Sequence, residues 1–268
     1  MAIDPRVNVA KSSEDELKSL CAQLTQDEKI SLLAAKNVWE TPEIERLNIP
    51  SLKVRFQVMS CPLHPRLTIT RQVTDGPNGA RGGSFWDGTT AACFPACVSI
   101  AATFNPDLCE EVGKALGQEA QTKGAYVLLG PTVCGHRSPL GGRNFEAFSE
   151  DPYLSGSLAS AYVRGLQSER VAATVKHYVG NEQDTRRFSV NETISERALR
   201  EIYLRPFEKV VKESSPWAFM SSYPKINGSH VDASSRFIQD ILRGEWGYDG
   251  LVMSDWGATS CVESVKNG

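Results

Sequence analysis

Apolar positions along this 268-residue chain follow two patterns, a recurrence near every third or fourth residue and short continuous runs, and the two kinds of segment alternate through most of the sequence. Thr25 followed by Glu28 has the spacing of a capping box and opens a helix over 25–35, while Asn105-Pro106 is a helix start for 105–123. AYVLLG at 125–130 reads as a buried strand, the stretch 153–170 as a helix, and VAATVKHYVG at 171–180 as a second strand whose far end turns polar. Thr193 and Glu196 have the spacing to cap a helix that carries Leu199, Ile202, Tyr203, Phe207, Val210 and Val211 on one face, with a kink expected at Pro206. WAFMSSY at 217–223 is strand-like, Phe237, Ile238, Ile241 and Leu242 mark a short amphipathic helix, and GLVMSDW at 250–256 is an apolar strand ending in an aspartate.

Such alternation predicts an α/β layer architecture with a parallel sheet. Strands that end in Lys-His, Ser-Tyr or Ser-Asp place polar side chains at one rim, the active face of a (β/α)8 barrel. The expected fold is therefore a TIM-like α/β barrel, incomplete at its C-terminal end and cut after its seventh strand, with no repeat, linker or low-complexity tract.

With 41% hydrophobic and 23% charged residues the chain has the make-up of a globular domain. A net charge of -3, with Lys and Arg scattered, excludes the basic stripe that nucleic acid or an anionic membrane would require. The first residues hold no apolar run of signal-peptide length, so the expectation from sequence is a cytoplasmic chain that does not enter a membrane. Seven cysteines in no framework spacing read as small core hydrophobes, and the four histidines (His64, His136, His177, His230) have no ligand-like spacing, so neither a metal nor a cofactor is expected. The Gly-Gly pairs lack the strand-to-helix fingerprint of a phosphate-binding loop.

The chemistry-bearing residues fall in four places. VTDGPNGAR at 73–81 sets Asp75 beside a Gly-Pro turn with Arg81 six residues on; SPLGGRNFEAFSEDP at 138–152 joins paired glycines to Arg143 and Glu146; Lys176 and His177 close a strand; Asp255 stands in VMSDW. Singly these read as a turn cap, a surface ion pair, a solvated lysine and a helix cap. Together they fit retaining glycoside hydrolysis, which needs an ionised carboxylate to attack the anomeric carbon, a second carboxyl to protonate the leaving oxygen, and polar groups to hold the sugar hydroxyls.

The segments TDGPNGARG, FPACVSIAATFNPDL, LLGPTVCGHRSPLGGRNFEAFSEDPYLSG, VAATVKHYVGNEQDTRR, SSYPKING and GLVMSDWG, in this order, resemble the N-terminal barrel domain of glycoside hydrolase family three, in the branch of fungal and plant β-glucosidases. The resemblance covers residues 13–268 apart from 54–72. It implies hydrolysis of terminal β-D-glucosyl residues with retention, with Asp255 as nucleophile and with Asp75, Arg81, Arg143, Lys176, His177 and Tyr223 lining the sugar pocket. Under it Arg143, Lys176 and His177 donate to ring substituents, Tyr223 donates towards the nucleophile, Trp256 offers an apolar face to the leaving group, and Met220 and Glu146 support the site. The substrate is then a β-glucoside or oligosaccharide, and secretion becomes the alternative location.

Departures from the family pattern are equally definite. The acid/base glutamate of the family comes from a following α/β sandwich domain, so the catalytic acid is expected to lie outside this chain. Pro224 stands after Ser222-Tyr223 where relatives carry asparagine, which removes a backbone donor. His136 receives no role. The segment 54–72, VRFQVMSCPLHPRLTITRQ, interrupts the pattern; Val-Arg at its start, Leu-Thr near its end and a final Gln fit the donor, branch and acceptor signals of a retained intron, with a surface loop as the alternative. Family members acting on N-acetylhexosamines carry KHFPGHG and a following Asp-Ser-His, whereas this chain reads KHYVGNEQDTRR, so the remaining readings are β-glucosidase, β-xylosidase and an inactive sugar-binding fragment.

Overall fold

A computed structural model of the chain describes residues 14–34, 36, 41–51, 72–81 and 90–267. Of the interrupting segment only Gln72 falls among them, and Ala35, Cys61 and His64 lie outside. The chain divides into two compact units, residues 1–53 and 54–268.

In the first unit, helix α1 (Glu14–Gln23) is followed by α2 (Gln26–Leu33). The capping box forms: Thr25 Oγ1 accepts from the Glu28 amide at 3.2 Å and the Glu28 carboxylate accepts from the Thr25 amide at 2.8 Å.

The second unit contains, in order, β1 (Gln72–Asp75), α3 (Cys97–Ala101), α4 (Pro106–Thr122), β2 (Ala125–Leu129), α5 (Pro152–Ser168), β3 (Ala172–Tyr178), β4 (Asn191–Glu192), α6 (Glu196–Ala198), α7 (Arg205–Ser214), β5 (Ala218–Ser221), β6 (Lys225–Ile226), β7 (Ser229–His230), a π-helix (Arg236–Glu245), β8 (Leu251–Ser254) and α8 (Glu263–Asn267). Strands β1, β2, β3, β5 and β8 lie side by side in that order, all parallel, while β4, β6 and β7 make a small separate sheet. Among the described residues the parallel wall thus has five strands rather than seven, with β8 at its edge. Every side chain of β3 is buried, as expected of a central strand covered on both faces. The edge strand differs from its sequence reading, since Leu251 is 54% exposed.

Local chemistry explains the helices that cover the wall. Asn105 caps α4 by accepting from the Leu108 amide at 3.1 Å, and Asp151 caps α5 by accepting from the amides of Tyr153 and Leu154, in both cases ahead of a proline whose missing N–H costs nothing in the first turn. Helices α4 and α5 approach through glycines: a Cβ at Gly165 would lie 2.0 Å from the Glu110 carbonyl oxygen, and one at Gly113 would lie 2.4 Å from that of Tyr162.

The helix after β4 refines two local expectations. Ser195, not Thr193, caps the helix after β4, by accepting from the Ala198 amide. The irregularity expected at Pro206 takes the form of a π-turn over Leu199–Tyr203, in which the Leu204 amide reaches the Leu199 carbonyl at 2.8 Å, followed by a bend at Leu204 that leaves the proline in the first turn of α7. Ile202 then sits half exposed rather than on the apolar face. The cysteines also divide: Cys97, Cys109 and Cys134 are buried, with burial pushing the thiols of Cys97 and Cys109 up to about 12, while Cys21, Cys93 and Cys261 are exposed. A core of small hydrophobes therefore accounts for three of the six described.

Candidate active site

The polar residues that end the parallel strands meet at one rim of the sheet. Asp75 is the last residue of β1, and the DGPNG turn after it folds back so that the Arg81 amide donates to the Asp75 carbonyl at 3.1 Å and the Arg81 guanidinium to the Asp75 carboxylate at 2.5 Å. Glycine is required in this turn: Gly76 has φ +117° and a Cβ there would meet the Gly79 carbonyl oxygen at 1.9 Å. The buried Tyr162 hydroxyl donates to the Pro77 carbonyl at 3.0 Å and fixes the turn from within the core.

Lys176, near the end of β3, is almost wholly buried and donates to Asp75 Oδ1 at 3.1 Å, with Glu146 Oε2 at 4.0 Å on another side. Glu146 is buried in the short turn Asn144–Glu146 and accepts from Arg143 Nε at 2.5 Å. Arg143 then reaches His177 Nε2 at 3.2 Å, and the same nitrogen lies 3.4 Å from Asp255 Oδ2. Asp255 follows β8; its amide donates to the Ser221 carbonyl at 3.3 Å and its Oδ1 accepts from the Trp256 amide at 2.7 Å. Arg81, Asp75, Lys176, Glu146, Arg143, His177 and Asp255 thus form one continuous chain of alternating contacts.

Charge sets the protonation of this chain. Burial alone would raise the Asp75 carboxyl, but Lys176 and Arg81 outweigh it and hold Asp75 below the usual carboxylate range. Asp75 is therefore an acceptor and cannot serve as a protonated acid at neutral pH. Burial dominates at Asp255 and raises its carboxyl, against the opposing pull of the Trp256 amide, Tyr223, Lys176 and Arg143. His177 is held well below the ordinary imidazole range, first by burial and then by Arg143, Lys176 and Arg187, so its ring is neutral. A guanidinium can only donate, so the contact with Arg143 makes His177 Nε2 its acceptor and leaves the ring proton on Nδ1.

The Tyr223 hydroxyl donates to the Trp256 carbonyl at 2.8 Å and lies within hydrogen-bond reach of the Asp255 carboxylate, the group it is expected to face. Trp256 adjoins Asp255 at intermediate exposure, and Met220 is buried within β5. His136 contacts the Ala147 carbonyl at 3.1 Å through Nε2, a loop contact only. The loop 180–190, to which the sequence assigns no site residue, supplies Arg187, 5.1 Å from the centre of the Tyr223 ring and paired to Asp184 at 3.0 Å, and Phe188, whose ring is tilted against that of Tyr223 with centroids 4.4 Å apart. Only the density of polar residues in NEQDTRR signalled it. Among the described residues no group of three or more His, Cys, Asp or Glu side chains could hold a metal ion, and no helix is long and apolar enough to cross a membrane.

A neutral acceptor histidine and an ionisable, largely enclosed carboxylate, set among buried cations and hydroxyl acceptors, suit a small polyhydroxylated ligand attacked at one carbon. The profile of the glycosyl hydrolase family 3 N-terminal domain matches residues 35–267. Beta-glucosidase B of Emericella nidulans is 52% identical over 252 residues, 94% of this chain and 28% of its own length. The crystal structure of the Kluyveromyces marxianus β-glucosidase in complex with glucose superposes with a TM-score of 0.86 at 47% identity, over 94% of this chain and 28% of that one. That of β-glucosidase 3B from Thermotoga neapolitana in complex with glucose gives 0.83 at 39% identity, over 94% of this chain and 35% of that one. The chain spans under a third of the length of the curated relatives described here.

Proposed function

The chain belongs to glycosyl hydrolase family 3, and on that premise we propose that it carries the nucleophile-bearing part of a retaining β-glucosidase acting on terminal β-D-glucosyl residues. The observation that carries this reading is the placement of Asp255: a carboxylate at the C-terminal end of a barrel strand, in contact with His177 at 3.4 Å and joined through Arg143, Glu146 and Lys176 to the acceptor Asp75. In the reaction Asp255 attacks the anomeric carbon as the leaving-group bond breaks, giving a glycosyl ester that water then hydrolyses. Asp75 accepts from two neighbouring hydroxyls, Lys176 and Arg143 donate, and His177 holds Arg143 through Nε2, so the pocket matches a sugar whose hydroxyls act as both donors and acceptors. The glucose complexes of the two structural relatives support a glucosyl unit over a xylosyl one.

Hydrolysis of 2,4-dinitrophenyl β-glucoside tests the proposal, because that leaving group needs no protonation. The expected result is a burst of dinitrophenol that disappears in Asp255→Ala. Folded chain that binds glucose yet gives no burst, or a burst surviving the substitution, would overturn the role of Asp255.

A further inference from the structure

Beside His177 lies a small pocket of about 20 Å³ lined in part by Thr132, Arg143, His177, Asn181 and Glu182. Thr132, His177, Asn181 and Glu182 are only 3%, 2%, 8% and 7% exposed, yet Thr132 Oγ1, His177 Nδ1, Asn181 Oδ1 and Glu182 Oε2 are buried without a partner in the protein. An unmatched buried polar atom costs about 1–3 kcal/mol, and four lining one pocket is far from the ordinary state of an interior.

The tautomer of His177 explains the grouping. Arg143 must donate to Nε2 at 3.2 Å, which leaves the single proton of the neutral ring on Nδ1. The opposite tautomer would direct Nε2–H to Asp255 Oδ2 at 3.4 Å but would set two N–H groups against each other at the Arg143 contact. With Nδ1 protonated, the pocket offers Nδ1–H as a donor, the Asn181 amide oxygen as an acceptor, and the Thr132 hydroxyl and Glu182 carboxyl, which can each take either role, a set that ordered water making about 2–4 hydrogen bonds can satisfy.

We infer that Asn181 and Glu182 are positioning residues for His177: through water ordered in this pocket they accept a hydrogen bond from Nδ1–H, and so keep Nε2 unprotonated to hold Arg143 where a hydroxyl of the bound sugar meets the guanidinium. The burial that pushes Glu182 up to about 8 is consistent with this, since a largely protonated carboxyl is both donor and acceptor in such a network and adds little charge beside the site. The sugar contact rests on the glucosidase reading, whereas the tautomer does not.

The test is long-range proton–nitrogen correlation spectroscopy on the chain labelled with ¹⁵N-histidine, with the His177 signals assigned by their loss in His177→Gln. The native chain is expected to show Nδ1 protonated and Nε2 bare. Asn181→Ala and Glu182→Ala should shift the ring towards the Nε2–H form and weaken glucose binding by about tenfold, the worth of one hydrogen bond, while Asn181→Asp and Glu182→Gln, which keep an oxygen acceptor, restore both. If the alanine variants do not fold, Thr132→Val, nearly isosteric, removes one acceptor and should produce the same shift. A native spectrum with the proton on Nε2, or folded variants with the native tautomer, would overturn the inference. Native tautomer without glucose binding would leave it standing and count against the glucosidase reading instead.

Discussion

Replacing Lys176 by methionine removes the charge that joins Asp75 to Glu146 while nearly keeping the length and bulk of the side chain. The lysine side chain is 4% exposed and its Nζ is 3.1 Å from Asp75, itself 25% exposed, so the pair interacts with about 5 kcal/mol at an effective dielectric of about 20. Desolvation of the lysine, relieved in the variant, offsets part of this, and Arg81 remains on the other carboxylate oxygen. A net loss of about 3 kcal/mol at pH 7 is expected, at the lower end of the range for breaking a buried pair. The folded Asp75 carboxyl titrates below its unfolded value near 4, so its contribution is fully present above about pH 4 and is lost as pH falls through the lower folded value. The deficit of Lys176→Met relative to the native chain should therefore be largest at neutral pH and shrink below about pH 4. Urea unfolding followed by tryptophan fluorescence at pH 7 and pH 3.5 measures both. A deficit under about 0.5 kcal/mol at pH 7, or one of equal size at both pH values, would refute the reasoning.

Three further outcomes are expected. Because burial raises the Asp255 carboxyl, dinitrophenol release should fall on the acid side at a pH above the ordinary aspartate value near 4, and Lys176→Met should move that limb higher; a limb at or below 4 contradicts the assignment. Gly165→Ala gains up to about 1 kcal/mol of helix propensity but drives a methyl to 2.0 Å from the Glu110 carbonyl, so a net loss of about 1–2 kcal/mol is expected on thermal unfolding, and a stabilised variant would show that α4 and α5 part freely. Removing 54–72 should leave a chain that unfolds at least as cooperatively as the original, and the retained-intron origin requires its coding sequence to begin with GT and end with AG; other bases there would exclude it.

Residues that act through their own backbone neighbourhood were legible in the sequence. The caps Thr25, Asn105 and the glycine turn after Asp75 follow from side-chain chemistry within a few residues, and each forms as its spacing predicts. Ser195 in place of Thr193 shows the limit of that logic, since two capping residues stood close together and the packing of the π-turn selected between them. The run Leu251 to Ser254 reads the same as a central strand, because hydrophobicity reports burial on folding and not the neighbours that supply it.

By itself the sequence determined the alternation of strands and helices, the family, and the polar residues that close each strand, because those depend on local pattern and on motif order. Only the tertiary structure decided that Arg143 faces His177, that Lys176 bridges Asp75 and Glu146, and that the loop at 180–190 brings Arg187 over Tyr223 and Glu182 into the pocket that His177 also lines. The physical reason is that a protonation state or a tautomer is fixed by partners a few ångströms away in space, and these partners stand 34 to 101 residues apart in the chain where they matter most, at Arg143 with His177 and at Asp75 with Lys176.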